Sequence, residues 1–95
     1  MKYYVYIIIS YHKSKFYTYV GYTNDLKKRL KLHNTSKGAK YTRGKKWNIM
    51  FYKTYKTKSL AMINEFRLKK DKNKRKNIKL NYIKKNYENI NFTSL

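Results

Sequence analysis

Tyr3-Tyr4-Val5-Tyr6-Ile7-Ile8-Ile9 is an unbroken run of β-branched and aromatic side chains. Such residues are stiff at χ1 in a helix and fit a pleated surface, so the run predicts a strand. Its near-continuous apolarity, without polar alternation, implies cover on both faces. The run is too short to span a bilayer. Ser10-Tyr11-His12-Lys13 follows it with no small-residue cleavage site, so the segment reads as a core strand of a soluble, intracellular protein rather than a leader. Phe16 to Gly21 predicts a second strand. The polar stretch Ser10 to Lys15 between them predicts an antiparallel hairpin with a six-residue loop.

Downstream, Thr23, Asn24 and Asp25 offer N-cap oxygens. Leu26 and Leu30 then repeat at helical spacing, with Arg29 and His33 on a neighbouring stripe, which predicts a helix from about Asp25 to His33. Asn34 to Lys46 is a basic, glycine-containing loop. Trp47 to Tyr55 predicts a third strand, with Trp47, Ile49 and Phe51 on one side and Asn48, Met50 and Tyr52 on the other. Ser59 is the expected N-cap of a second helix running to about Lys70. Its expected buried face is Leu60, Met62, Ile63 and Phe66, with Glu65 beside it. Asp71 to Asn77 reads as a polar break before a weaker third helix carrying Ile78, Leu80, Ile83 and Tyr87. The order β-β-α-β-α-α implies an α+β domain: a small three-stranded, mainly antiparallel sheet flanked by helices. The expected domain covers residues 1–88, and residues 89–95 are expected to fray.

Composition bounds the chemistry. The chain has 95 residues and a formal net charge of +21, from 25 Lys and Arg against 4 Asp and Glu. One domain with one small core is all this length supports. The charge points to a polyanionic partner, nucleic acid above a membrane surface. The heavy use of Lys, Asn, Ile and Tyr also suits an AT-rich coding sequence, but drift of that kind does not remove acids. With no Cys and two His, disulfides, thiolate zinc sites and histidine-rich cages are excluded. Any metal must be a hard cation on carboxylate and water, Mg²⁺ or Mn²⁺.

Several of these segments together carry a resemblance. Tyr4-Val5-Tyr6-Ile7, Tyr19-Val20-Gly21, Asp25 to Leu30 with His33-Asn34, Gly38-Ala39-Lys40-Tyr41-Thr42-Arg43, and Ala61-Met62-Ile63-Asn64-Glu65 resemble, in order and spacing, the GIY-YIG endonuclease superfamily. They are similar in particular to small single-domain members related to Slx1-type structure-selective nucleases. The first motif lacks its glycine, the second has Val20 for isoleucine, and Tyr22 follows Gly21 where some repair nucleases carry lysine.

The resemblance implies a metal-dependent endonuclease hydrolysing phosphodiester bonds in DNA, with branched or flapped structures as candidate substrates. It implies catalytic roles for Tyr6, Tyr19, Arg29 and His33, and a single divalent ion, Mg²⁺ or Mn²⁺, on Glu65. Hydrolysis of a phosphodiester requires neutralised non-bridging oxygens, a stabilised leaving oxygen and an aimed, deprotonated water. Arginine, a metal-bound carboxylate and a Tyr or His supply these in turn. Lys40, Tyr41, Arg43, Lys45 and Lys69 are candidate nucleic-acid contacts, with Lys37 and Lys46 in the same tract.

Blander readings stand beside each of these. A strand tyrosine is ordinarily a core ring, and one with a pKa near 10 needs a neighbouring cation to act as a base. His33 at a helix end can answer the helix dipole. Glu65 can simply pair with Lys69 one turn on, and the basic loop can be mere solvated surface. At the level of function, an inactive nucleic-acid-binding module on the same fold is the main alternative, and a basic architectural protein a third. A domain of this size leaves room for a protein partner or a homodimer.

Overall fold

A computed structural model describes the backbone of residues 1–94 and the side chains of residues 1–86. The elements run in the order β1 (Tyr3–His12), β2 (Lys15–Thr23), α1 (Leu26–Asn34), a short 3-10 turn at Lys40–Thr42, β3 (Asn48–Tyr55), α2 (Lys58–Lys70) and α3 (Lys72–Ser94). The sheet order is β2-β1-β3, and both pairings are antiparallel. This is the expected α+β domain of order β-β-α-β-α-α. The frayed tail expected over 89–95 falls on side chains outside the described residues.

β1 is the central strand, and it is covered on both faces. Val5 through Ser10 are all buried. Val5 and Ile7 join Val20, Ala61 and Leu68 in one apolar cluster beneath α2 and α3. Tyr6 and Ile8 join Trp47, Leu26 and Leu30 in a second cluster on the α1 side. A continuous apolar run is what a strand between two cores requires.

The structure corrects the hairpin. β1 and β2 pair as far as His12 opposite Lys15, so the connection is the two residues Lys13-Ser14 rather than six. Both have positive φ, 50° and 65°, the left-handed backbone of a tight turn whose twist suits the flanking strands. The polarity of Ser10 to His12 suggested a loop, but ladder hydrogen bonds satisfy polar residues as well as apolar ones.

A bulge corrects the third strand. Ile7 faces Phe51, yet Ile8 faces Ile49, so Met50 is an extra residue in the ladder. The insertion reverses the alternation. Phe51 joins Met50 and Tyr55 over the α2 face, while Trp47 and Ile49 stay on the α1 side.

The caps and the face of α2 also differ from expectation. Thr57, not Ser59, is its N-cap, accepting from the Leu60 N–H at 3.1 Å. Leu60, Met62, Ile63 and Phe66 are exposed, and the docking stripe is Ala61, Asn64, Glu65 and Leu68, spaced by three and four. Alanine at the contact lets the helix approach the sheet closely, and this orientation carries Glu65 inward. The polar break shrinks to Asp71, whose Oδ1 accepts from the Lys74 N–H at 3.0 Å and starts α3. Arg75 reaches back to the Leu68 and Lys69 carbonyls at 3.0 and 2.9 Å, satisfying the last turn of α2.

Candidate active site

Tyr6 stands at the centre of the site. It leaves the central strand directly opposite Gly21 of edge strand β2, and its ring crosses the backbone there. A Cβ on Gly21 would lie 2.5 Å from the Tyr6 hydroxyl and 2.7 Å from Cζ, so only glycine lets the phenol reach the sheet edge. The ring is 2% exposed. Burial pushes the phenol above its usual pKa of 10, against a smaller opposing pull from the Arg29 guanidinium. A neighbouring cation is present, but desolvation outweighs it.

His33, in the last turn of α1 and fully buried, meets this hydroxyl at 2.9 Å through Nε2. Its Nδ1 lies 2.9 Å from Thr42 Oγ1. The single hydroxyl hydrogen of Thr42 is given to the Ala39 carbonyl at 2.9 Å, so Thr42 accepts from His33 Nδ1–H. Nε2 then carries the lone pair, and Tyr6 donates to it. Burial, and secondly the Arg29 charge, lower the His33 pKa to about 4, so the ring is neutral near pH 7.

The basic loop is held in place by named contacts. The Asn34 side chain binds the Trp47 backbone on both sides: Nδ2 donates to its carbonyl at 3.1 Å and Oδ1 accepts from its N–H at 2.6 Å. The Trp47 indole donates to the Thr42 carbonyl at 2.9 Å. Gly38 passes so close to His33 that an added Cβ would overlap the imidazole. The loop is therefore anchored at Asn34, Gly38 and Thr42, while Lys37, Lys40, Arg43 and Lys46 stay exposed. Asn34 and Thr42 lay within the motif segments and Trp47 in the expected third strand, but none was given this supporting role from the sequence. The signal lay in the polar Asn34 and Thr42 flanking otherwise basic residues.

Arg29 comes from the same helix as His33, and Tyr6 feels its guanidinium through both charge and hydrogen bonding. Its Nε is buried and has no hydrogen-bond partner. An unpaired buried donor is costly. The Glu65 charge also reaches the Tyr6 phenol. Its carboxylate, 18% exposed, pairs with Lys69 at 3.4 Å, so Lys69 lies at the carboxylate. Among the described residues no group of three or more His, Cys, Asp or Glu gathers to hold a metal. The available donor is thus one carboxylate, which suits a hard cation completing its shell with water and phosphate oxygens.

Tyr19 lies against His33, ring centroids 5.2 Å apart, and stacks on Tyr41. Lys45 holds its ammonium 4.9 Å from the Tyr17 ring and 5.5 Å from the Tyr41 ring. Tyr6, Tyr19, Arg29 and His33 therefore come together. Glu65 with Lys69 approaches from α2, and Tyr41 with Lys45 continues the cluster outward.

The small, strongly basic α+β domain thus brings two strand tyrosines, a helical histidine and an arginine together, with a lone carboxylate approaching from α2. The GIY-YIG catalytic domain matches residues 2–79, and the chain belongs to this nuclease family. It is 45% identical over 69 residues to the UPF0213 protein OB0043 of Oceanobacillus iheyensis, covering 72% of this chain and 77% of the relative. It is 42% identical over 83 residues to the UPF0213 protein SpyM3_1077 of Streptococcus pyogenes, covering 86% and 85%. The solution NMR structure of the UPF0213 protein BH0048 from Bacillus halodurans is 33% identical, with 95% and 94% coverage and a TM-score of 0.46. Among the described residues no helix is long and apolar enough to cross a membrane.

Proposed function

We propose that the protein is a divalent-metal-dependent endonuclease that hydrolyses phosphodiester bonds in DNA. One observation carries this reading. The Tyr6 hydroxyl donates to His33 Nε2 at 2.9 Å and lies in the field of Arg29 and, more weakly, Glu65, so charged and polar groups from α1 and α2 bear on one phenol of β1.

The chemistry follows from that arrangement. Arg29 binds the non-bridging oxygens of the scissile phosphate through its guanidinium fork. The Tyr6 oxygen takes a proton from the attacking water while its own hydrogen passes to His33 Nε2. The water oxygen bonds to phosphorus, the bond to the leaving oxygen breaks, and that oxygen takes a proton from solvent. His33 in the free protein is a weak acceptor, because burial and the Arg29 charge hold its pKa at about 4. A phosphate on Arg29 cancels the second of these effects, so substrate binding itself makes His33 more basic. Tyr19 packs against the imidazole. Glu65 would hold Mg²⁺ or Mn²⁺, and the ion when bound neutralises charge on the phosphate and leaving oxygen.

The partner is nucleic acid, most directly DNA, met through Lys40, Tyr41, Arg43, Lys45 and Lys69. The resemblance to Slx1-type nucleases supports branched or flapped substrates. The test is cleavage of labelled DNA junctions, flaps and duplexes with Mg²⁺. Removing a group that stabilises transition-state charge costs about 10²–10³ in rate, and Arg29→Ala and Glu65→Gln are each expected to lose that much. Undiminished cutting by Glu65→Gln would refute the metal assignment. One observation favours the alternative of a binding module without turnover: Lys69 sits on the carboxylate a metal needs. Tight binding with no cutting on any of these substrates would establish it.

A further inference from the structure

Tyr41 is half exposed, at 50%, yet its ring is held from several sides. It stacks on Tyr19 at 22° with centroids 6.1 Å apart, and leans on Trp47 at 6.3 Å. Its backbone lies in the 3-10 turn beside fully buried Thr42, which the Trp47 indole anchors. A large aromatic ring fixed from behind and open to water loses nothing to side-chain ordering when something covers it.

Its surroundings specify what covers it. Tyr19, against its back, is the ring that touches His33, so the exposed ring stands one ring beyond the proposed reaction centre. The Lys45 ammonium hovers 5.5 Å from its centroid, and Lys40 and Arg43 flank it in sequence, both exposed. Aromatic surface bordered by cations suits a nucleotide, with base on ring and phosphate on ammonium. Bases inside a duplex already have both faces stacked, so only an unpaired base can use this platform.

We propose that Tyr41 is a stacking platform for one unpaired nucleobase of a DNA strand whose neighbouring phosphate lies at Arg29. The substrate class is therefore DNA with a single-stranded element next to the cleaved bond. The platform reads the π-face and is indifferent to which base it receives. This rests on the nuclease reading above and narrows its substrate.

Binding is measured by fluorescence anisotropy with the full chain in chelator, so that no cleavage is involved. Three probes share one hairpin duplex: blunt, with a short single-stranded extension, and with the same extension made abasic. Stacking of one base is worth about 10- to 100-fold in affinity. The parent is expected to bind the extended probe tighter than the abasic one by that factor. Tyr41→Ala is expected to erase the difference, while Tyr41→Phe and Tyr41→Trp preserve it. The salt dependence of Tyr41→Ala is expected to match the parent, because no phosphate contact is lost.

Equal affinity of the parent for abasic and intact extensions overturns the proposal, whether or not the variants fold. So does a loss in Tyr41→Phe equal to that in Tyr41→Ala, which would assign the phenol to a phosphate. The nuclease reading has its own separate failure, tight binding with no cutting of any junction, flap or duplex in Mg²⁺. A true nuclease lacking the platform would cut with Mg²⁺ and show no abasic effect.

Discussion

The buried imidazole makes the stability of this protein depend on pH in a way that can be worked out from one residue. His33 has a folded-state pKa of about 4 against 6.5 in the unfolded chain. The unfolded chain therefore takes up the proton first. Stability is at its full value above about pH 6.5 and falls as the pH descends toward 4. Each pH unit between the two values is worth about 1.36 kcal/mol, so going from about pH 7.5 to about pH 5 should remove about 2 kcal/mol. The background is small in this chain, because it has only four carboxylates. The assay is urea unfolding at both pH values, with His12→Gln in all chains so that His33 is the only histidine. The parent should lose about 2 kcal/mol more than His33→Gln over this interval. If the two lose the same, the imidazole is not held neutral by the fold, and its place in the proposed proton transfer goes with it.

Two further outcomes follow from the same contacts. Gly21→Ala places a Cβ 2.5 Å from the Tyr6 hydroxyl; overpacking of this kind costs about 1–3 kcal/mol, seen as a lower urea midpoint, and a Tyr6→Leu background should remove most of that cost. Misplacing the phenol by about 1 Å should also slow cleavage about 10²-fold, and a Gly21→Ala chain of parental activity would contradict the close crossing. Thr42 fixes the His33 tautomer, so ¹⁵N shifts should show Nδ1–H in the parent and a mixture in Thr42→Val; Nε2–H in the parent would reverse the donor order assigned to Tyr6.

The strands, the helix carrying Arg29 and His33, and the β-β-α-β-α-α order were legible because they depend on local properties. β-branched runs resist helix, N-cap oxygens start helices, and apolar spacing reports a face. The family resemblance likewise lay in short segments whose order survives in one dimension. What misled were features that depend on a partner. Polar residues looked like a loop until a facing strand paired them. Alternation predicted one face for Trp47, Ile49 and Phe51, but the Met50 bulge, a property of two strands, reversed it. The more apolar stripe of α2 was expected inward, whereas the stripe of Ala61 and Leu68 docks and brings Glu65 with it.

The sequence alone determined the charge, the absence of thiolate chemistry, the element order and the residue types available for phosphoester chemistry. Tertiary structure alone decided that the phenol of Tyr6 passes over Gly21 to meet His33, that Thr42 orients that imidazole, and that Arg29 keeps an unpartnered nitrogen. Those outcomes depend on distances between residues far apart in the chain, such as Tyr6 and His33. Burial, charge and hydrogen bonding at such distances set protonation states, and no spacing along the chain encodes them.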